Sequence, residues 1–254
     1  MNEAIKLLTK KYIPTRFLAL TLNIKSYLYS LFYLGDNFIC PICKGHFRKF
    51  LSTGLNLRPN AQCPRCGSLE RHRLIWLYLQ EKTNFFTSKF KVIHFAPERC
   101  FKNRFKSMLN LDYITADIDS PFADRKIDIT NIPFDDNTFD CAICVHILEH
   151  IIDDRKAIRE IYRILKGGGW AIFQVPSDKN REKAFEDSTI TDPKEREKFF
   201  GQWDHVCIPG RDYGSRLEEV DFKVKDVSFE KELEIKYLRR YGLTTNENFY
   251  YCLK

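Results

Sequence analysis

Short apolar runs alternate with helical patterns between Lys91 and Pro176. The runs are rich in β-branched and aromatic residues and end at turn or acidic residues, a pattern that predicts strands. Between the runs, Arg99 to Leu109 and Asp153 to Leu165 have the apolar spacing of helices. Strands that alternate with helices predict an open, doubly wound α/β sheet whose parallel strands are joined by crossover helices. The predicted strands are Lys91–Phe95, Tyr113–Ala116, a third strand that ends at Asp128, Phe139–Cys144 and Trp170–Val175.

Two further strands complete a predicted sheet of seven mostly parallel strands. Residues 177–215 are polar and too long for a plain connection, so we expect them to be an insertion over the strand ends. A helix end and a strand follow in residues 218–229, then a helix in 231–243 and a last strand in 248–254. The triplet Gly167-Gly168-Gly169 is predicted to end the second crossover helix.

Polar side chains that can bind a ligand fall at the ends of these predicted strands. Asp117 and Asp128 end the second and third strands, and His146 follows the fourth. Ligands of open α/β sheets lie beyond the carboxyl ends of the strands. The sequence therefore places its candidate chemistry at that edge of the sheet.

The first 38 residues are rich in leucine, tyrosine and lysine and carry one apolar stripe at helical spacing. A helix packed on the main domain is the simpler interpretation. A helix that lies in a membrane interface, or that forms part of a substrate lid, is the alternative. Polar residues interrupt the stripe, so no apolar run is long enough to span a membrane. The stripe comprises Phe17, Leu20, Ile24, Tyr27, Leu28 and Leu31.

Four of the nine cysteines form two Cys-x-x-Cys pairs, Cys40 with Cys43 and Cys63 with Cys66. Two thiolates three positions apart on a tight turn can both reach one tetrahedral zinc ion, and two such pairs supply all four ligands. Disulfides are the alternative, but they conflict with a reducing cytosol, in which the other five cysteines fit as buried thiols. The pattern predicts a structural zinc ribbon, because a closed four-cysteine site has no open position for catalysis.

Composition adds a mild basic bias to this picture. Hydrophobic residues make up 44% and charged residues 30% of the 254 residues, and the net charge is +7. This charge is too small to predict nucleic-acid binding by itself. The charged helix start after the ribbon, from Glu70 to Arg73, is interpreted as a solvated or ribbon-packing face, with a nucleic-acid contact as the alternative. No signal-peptide pattern is recognisable, so we expect a cytoplasmic protein.

Residues 91–254 resemble the class I S-adenosylmethionine-dependent methyltransferases of the type-11-like branch. The resemblance rests on ordered motifs: Asp-Ile-Thr-Asn-Ile-Pro-Phe, Phe-Asp, Leu-Glu-His, a helix, and Leu-Lys-Gly-Gly-Gly, where Gly167 replaces a common proline. A subgroup with a four-cysteine ribbon ahead of a His-Phe-Ala-Pro-Glu motif is similar over nearly the whole chain. The regions that follow are an N-terminal helical segment 1–38, a zinc ribbon 39–68, a linker helix 69–90, and a methyltransferase domain 91–254 with the insertion 177–215.

The resemblance also implies which residues bind S-adenosylmethionine. In this family the acid that binds the ribose hydroxyls ends the second strand, and its spacing from the first motif selects Asp117 over Asp119. Asp128 matches the acid that accepts from the adenine amino group, with Ile129 beside the ring. Helix caps or solvated loop positions are the alternative roles of the two acids. Further residues implied to line the cofactor are His94, Ala96, Pro97, Glu98 and Cys144.

The first motif has no glycine where the family has a Gly-x-Gly-x-Gly turn, and reads His-Phe-Ala-Pro-Glu from His94. Ala96 is expected to let the backbone approach the cofactor closely. Glu98 is expected to bind the ammonium group of the cofactor's amino-acid part, since a carboxylate is a suitable partner for that charge. The missing glycines keep open a catalytically silent, methyltransferase-like binding or scaffold protein.

Methyl transfer requires an aligned acceptor and, for a hydroxyl acceptor, also a base. In this family the position after the fourth strand faces the methyl group, which makes His146 the first candidate for a base or an acceptor-orienting residue. His150 and His205 are further candidates, with structural histidines as the alternative. We expect the acceptor to be an oxygen or nitrogen of a small or glycan-like molecule. An RNA methyltransferase that uses the ribbon as its RNA anchor is the alternative enzyme.

His146-x-x-Glu149-His150 also matches the H-x-x-E-H pattern of inverted zinc peptidases. That site needs two histidines one turn apart on a helix that is long enough to carry both, and a third ligand from a distant segment. Asp153 and Asp154 follow almost at once, so the methyltransferase interpretation is preferred.

Overall fold

A computed structural model describes residues 15–54, 57–244 and 248–254. Its strands are β1 (Leu34–Ile39), β2 (His46–Phe47), β3 (Leu51–Thr53), β4 (Arg58–Gln62), β5 (Phe90–Phe95), β6 (Leu111–Asp117), β7 (Arg125–Lys126), β8 (Phe139–Val145), β9 (Leu165–Gln174), β10 (Phe185–Glu186), β11 (Cys207–Ile208), β12 (Lys223–Val227) and β13 (Phe249–Leu253). Its α-helices are α1 (Thr15–Leu31), α2 (Glu70–Lys82), α3 (Arg99–Phe105), α4 (Asp154–Ile164), α5 (Pro193–Phe200), α6 (Tyr213–Glu218) and α7 (Ile235–Tyr241). Short 3₁₀ turns cover Leu148–His150 and Phe229–Glu232.

These residues group into two compact units, each made of segments that are separate in the sequence. The first unit contains the ribbon strands and α2, and the second contains the large sheet. The first comprises the described parts of 1–83 and 229–247 with Glu98–Arg104, and the second comprises Asn84–Pro97, Phe105–Ser228 and the last strand.

The second unit is built on one seven-stranded sheet with the order β12-β13-β9-β8-β5-β6-β7. Strands β5 to β9 run parallel, and β13 is antiparallel to both of its neighbours. Strand β5 lies between β6 and β8, so the carboxyl ends of these three strands meet at one edge of the sheet. This order confirms the predicted α/β fold, a doubly wound and mostly parallel sheet.

The core of this unit explains why its central strands are continuously apolar. Every residue of β8 from Cys141 to Val145 is at most 3% exposed, as expected for a strand covered on both faces. Helix α4 contributes a stripe of apolar side chains to the same core, as predicted. Burial of each isoleucine contributes about 1.5–3 kcal/mol. The stripe consists of Ala157, Ile158, Ile161 and Ile164, all of them fully buried.

The glycine triplet has a different role from the predicted one. Helix α4 ends at Ile164, and Gly167–Gly169 lies inside β9, so the prediction that the triplet ends the helix is wrong. The pairing of β9 with β8 shifts its register in this stretch, which marks a bulge. A Cβ atom on Gly169 would lie 2.9 Å from the carbonyl oxygen of Asp140, and Gly168 has a φ angle of +77°. The bulge therefore requires glycine.

Other predicted boundaries also differ from the structure. The third strand, β7, ends at Lys126 and not at Asp128. The insertion 177–215 contains α5 and the β10–β11 pair, and α6 begins before its end. The helix predicted in 231–243 is the end of a 3₁₀ turn followed by α7.

The N-terminal stripe is only partly described, because residues 1–14 and the side chains of Phe17 and Leu20 lie outside the described part. Its remaining members are 44–55% exposed, and the packing of this helix on the main domain stays a prediction. None of the described helices has the length and apolar character needed to cross a membrane. The exposed members are Ile24, Tyr27, Leu28 and Leu31.

Candidate functional site

Two carboxylates lie at neighbouring strand ends of the second unit. Asp117 is the last residue of β6, and its Oδ1 accepts backbone N–H bonds from Asp119 at 2.8 Å and Ser120 at 2.7 Å. Asp128 follows β7, and its Oδ1 accepts from the backbone N–H and the hydroxyl of Thr130, both at 2.8 Å. Within the described ranges, the Oδ2 atom of either acid accepts no hydrogen bond. Each carboxylate is oriented by its own turn and keeps one oxygen for a ligand.

Both acids line one cleft of about 160 Å³ at the edge where β5, β6 and β8 end. Ala96 and His150 line the same cleft. The rest of the lining is mainly apolar, so the cleft offers a flat ring an apolar slot between two acceptor groups. Its isoleucines are Ile118, Ile127, Ile129, Ile147 and Ile151.

Ala96 is the residue that turns the chain out of β5. Its φ angle is +43°, a left-handed conformation that favours glycine, and its backbone N–H donates to the carbonyl oxygen of Ala116 at 2.8 Å. The backbone therefore makes the turn of the first motif even though the motif contains no glycine.

Changing Ala96 to glycine is expected to raise the free energy of unfolding by about 0.5–1 kcal/mol. A residue with a Cβ in the left-handed conformation destabilises the folded state by about 1–2 kcal/mol, and glycine removes this strain. Glycine also gives the unfolded chain more conformational freedom, which offsets about 0.4–1 kcal/mol of that stabilisation. Urea unfolding measures the change. Ala116→Gly is the matched control, because the same atom is removed from a regular strand of the same cleft; this variant should lose about 1 kcal/mol. An equal loss of unfolding free energy in the two variants would contradict the claim that Ala96 is strained.

The other predicted cofactor residues lie in different places. His94 is fully buried in β5, with Nδ1 2.7 Å from the hydroxyl of Tyr113, and Cys144 is 1% exposed in the core of the sheet. Pro97 follows Ala96 and is not part of the cleft lining. Glu98 belongs to the first unit, where Oε1 lies 3.4 Å from Nε2 of His72. Their cofactor roles stay predictions.

The three candidate catalytic histidines surround one buried carboxylate. His146 has a φ angle of +54° directly after β8, and its Nδ1 lies 3.1 Å from Oε1 of Glu149, which is 0% exposed. The rings of His150 and His205 meet edge to face, with centroids 4.8 Å apart. Burial lowers the pKa of His205, against the opposing charge of Glu149. The segment from His146 to His150 contains only a 3₁₀ turn, so it lacks the long helix that the peptidase motif requires.

The four ribbon cysteines form one cluster in the first unit, and all four thiols are free of disulfides. The Sγ atoms of Cys40 and Cys66 are 3.6 Å apart, and those of Cys43 and Cys63 are 3.7 Å apart. Four sulfurs bound to zinc at about 2.3 Å are separated by about 3.8 Å in a tetrahedron. The Ser68 hydroxyl lies 3.3 Å from the sulfurs of Cys40 and Cys66 and can donate to a thiolate. The donor set and its spacing fit a tetrahedral zinc ion.

The cleft also contains residues that sequence reasoning missed. Ile118, Ile147 and Ile151 line it, and of its isoleucines only Ile129 carried a motif signal. Ile118 could have been found from its position, because it is an apolar residue directly after the strand-end acid Asp117. It is 54% exposed. Glu149 was noted only within the Leu-Glu-His motif and the peptidase pattern, without a binding role.

Comparison with known proteins finds similarity in the central segment. Residues 89–173 match a family model described as a methyltransferase domain. The uncharacterized protein MJ0638 of Methanocaldococcus jannaschii is 42% identical over 71 residues, which are 26% of this chain and 31% of that protein. The ubiquinone/menaquinone biosynthesis C-methyltransferase UbiE of an Enterobacter species is 32% identical over 80 residues, 30% of this chain and 28% of that enzyme. The chain thus spans about a third of the length of these curated relatives.

Two of the similar solved structures are described as S-adenosylmethionine-dependent methyltransferases. One from Mesorhizobium loti has a TM-score of 0.49 and 12% identity over 71% of this chain and 98% of that chain. One from Archaeoglobus fulgidus has a TM-score of 0.48 and 15% identity over 71% of this chain and 93% of that chain. The polar residues of the cleft, Asp117, Asp128 and His150, fall within the segment that matches the family model.

Proposed function

We propose that this chain transfers the methyl group of S-adenosylmethionine to an oxygen or nitrogen of a small or glycan-like molecule, in keeping with the match of residues 89–173 to a methyltransferase domain model. One observation carries the proposal. Two strand-end carboxylates, Asp117 and Asp128, each keep one oxygen for a ligand at the mouth of a single apolar cleft.

The chemistry of the cofactor fits these groups. Its ribose has two adjacent hydroxyl donors, which the remaining oxygen of Asp117 can accept, and its adenine has an amino donor for Asp128. The isoleucines of the cleft, Ile129 among them, would contact the faces of the adenine ring. The backbone turn at Ala96 brings main-chain atoms to the same cleft.

In this proposal the protein contributes alignment and a proton acceptor. The cofactor supplies an activated methyl group bound to a sulfonium. His146, directly after β8, would accept the proton of a hydroxyl acceptor as the new C–O bond forms, or would remove a proton from an ammonium group before its nitrogen attacks. In both cases the electrons of the C–S bond move to sulfur. Glu149 lies next to Nδ1 of His146 and stabilises the imidazolium that results. His150 and His205 would be further residues that face the acceptor.

A second cleft of the same unit supports a polar acceptor. It has a volume of about 110 Å³ and is lined in part by Asp187, Ser188, Thr191 and Arg196. Hydroxyl, carboxylate and guanidinium groups of this kind can pair with the hydroxyls of a glycan-like molecule.

The cysteine ribbon has a structural role in this proposal. Cys40, Cys43, Cys63 and Cys66 would hold zinc as a closed four-thiolate site, which has no position open to water or substrate. The ribbon would therefore stabilise the first unit and take no part in methyl transfer.

Binding of the cofactor is expected to depend on Asp117. Asp117→Asn keeps an oxygen that can accept the hydrogen bonds of the turn amides but loses the negative charge, and Asp117→Ala loses both the oxygen and the charge. Each variant should bind S-adenosylmethionine about tenfold more weakly or worse, which is about 1.4 kcal/mol. Isothermal titration calorimetry measures the affinity. Asp119→Ala is the matched control, because its side chain is 88% exposed two positions away. Unchanged affinity in both Asp117 variants would remove the main site assignment.

The acceptor class is tested with cofactor that carries a labelled methyl group. Label should appear in a small polar metabolite or glycan fraction of a cell extract, and His146→Ala should slow its appearance with little change in cofactor affinity. Label in RNA, with a rate that falls steeply as salt rises, would overturn the small-acceptor assignment. A protein that binds no cofactor at all would instead be a scaffold.

A further inference from the structure

The carboxylate of Glu149 lacks the partners that a buried charge requires. Its side chain is 0% exposed, and neither oxygen accepts a hydrogen bond from the described residues. Nδ1 of His146 lies 3.1 Å from Oε1 but is not in hydrogen-bonding geometry. Burial of an unpaired carboxylate costs several kcal/mol or more, so the site is incomplete without a positive group.

Two imidazoles complete the surroundings of Glu149. One ligand atom each from Glu149, His150 and His205 lies within 4.8 Å of the others. We propose that these three residues form a binding site for a divalent transition-metal ion such as zinc, separate from the cysteine ribbon. Two imidazole nitrogens and one carboxylate oxygen are a donor set that binds zinc and leaves a position open.

The fold holds the two segments of this site together. Glu149 and His150 lie on the 3₁₀ turn after β8, whereas His205 comes from the insertion. The backbone N–H of Val206 donates to the carbonyl oxygen of Glu149 at 2.9 Å, which fixes His205 beside the turn. The three ligand atoms need to approach each other by at most about 1.4 Å to reach the separation of about 3.4 Å in a tetrahedral site with bonds of about 2.1 Å. Side-chain rotation can supply that movement.

The second contacts of His150 also suit a metal ligand. Its Nδ1 lies 3.2 Å from the carbonyl oxygen of Asp204 and 3.4 Å from the carboxylate of the same residue. A ring nitrogen that donates to such oxygens leaves the lone pair on the other nitrogen, Nε2, and increases its basicity. A carboxylate or carbonyl behind the imidazole is the usual support of a zinc-bound histidine.

The role of the ion rests on the proposed function. His150 also lines the cleft of Asp117 and Asp128, so a metal there would lie beside the position of the methyl group. An acceptor hydroxyl bound to the open metal position would lose its proton more easily, because the cation stabilises the alkoxide. His146 would accept that proton before the oxygen attacks the methyl carbon.

The test measures metal in the absence of cofactor and acceptor. Full-length protein saturated with Zn²⁺ and desalted is expected to hold two metal ions per chain by elemental analysis, and Glu149→Gln and His205→Ala one each. Co²⁺-substituted protein separates the sites, since only the ribbon gives thiolate-to-cobalt charge transfer; that band should persist in both variants. His46→Ala is the control, because His46 is 55% exposed and belongs to the first unit, and it should keep two ions.

One metal ion per chain in the wild type, all of it in the sulfur environment, would overturn the site, and so would two ions in both variants. His205→Asn serves as a second variant, with circular dichroism to show that each protein is folded. Failure of this proposal is distinct from failure of the methyltransferase proposal, because cofactor binding and its loss in Asp117→Asn are measured separately.

Discussion

Replacing Cys63 by serine is expected to lower the zinc affinity of the ribbon at least a thousandfold, which is about 4 kcal/mol. A serine hydroxyl remains protonated near neutral pH and is a poor zinc ligand, so only three thiolates would be left of four. Zinc binding by such sites contributes on the order of 10 kcal/mol to folding. The first unit should therefore lose stability together with its metal. Competition with a chromophoric chelator measures the affinity, and limited proteolysis measures the unfolding.

Cys100 provides the matched control for this change. It is 3% exposed in the same unit, and burial raises the pKa of its thiol well above the ordinary value, so it is not a thiolate ligand. Cys100→Ser introduces the same hydroxyl into a buried position and should cost about 1–3 kcal/mol without loss of zinc. Loss of metal in Cys100→Ser, or its retention at full affinity in Cys63→Ser, would contradict the four-cysteine assignment.

The features that could be predicted correctly from the sequence are those whose residue pattern lies within one short segment of the chain. The cysteine cluster follows from two local turns, in which Lys44 and Gly67 donate N–H bonds to the carbonyls of Cys40 and Cys63. The central strands of the second unit were recognisable because burial on both faces leaves a continuous apolar run. The position of Asp117 and Asp128 at one edge of the sheet was predictable because the carboxyl ends of parallel strands meet there, whereas their binding roles stay predictions.

The features that could not be predicted from the sequence depend on contacts between distant segments. The glycine triplet looked like a helix stop because Gly is common after a helix, but the carbonyl of Asp140 on the neighbouring strand determines its role. His205 lies beside Glu149 where the backbone N–H of Val206, in the insertion, donates to the carbonyl oxygen of Glu149 on the 3₁₀ turn after β8. No periodicity in either segment encodes that contact.

Arg73 is the clearest case of a residue whose role could not be predicted from the sequence. It lies in the charged helix start, whose residue pattern predicts a solvated or ribbon-packing face. In the structure Arg73 is 0% exposed. Its guanidinium donates to the carbonyls of Ala61 and Ser68 at 3.0 and 2.7 Å, and to those of Tyr241 and Gly242, both at 2.6 Å. One side chain thus joins the ribbon, α2 and the end of α7 within the first unit. The buried position also excludes Arg73 as a nucleic-acid contact.

Substitution of Arg73 by methionine is expected to lower the free energy of unfolding of the first unit by about 3–5 kcal/mol. Methionine fills similar space but leaves four buried carbonyl oxygens without their donor, and each buried unsatisfied group costs about 1–3 kcal/mol before relaxation. Arg73→Lys should recover little of the lost stability. The single ammonium group of lysine cannot reach carbonyls on three elements, whereas the planar guanidinium of arginine does. Arg71→Met, two positions earlier on the same helix and partly exposed, is the control and should cost less than about 1 kcal/mol. Denaturant unfolding followed by hydrogen exchange of the amides in α2 and α7 measures the change. A methionine variant as stable as the Arg71 control, or full recovery by lysine, would show that the four carbonyl contacts do not hold these segments together.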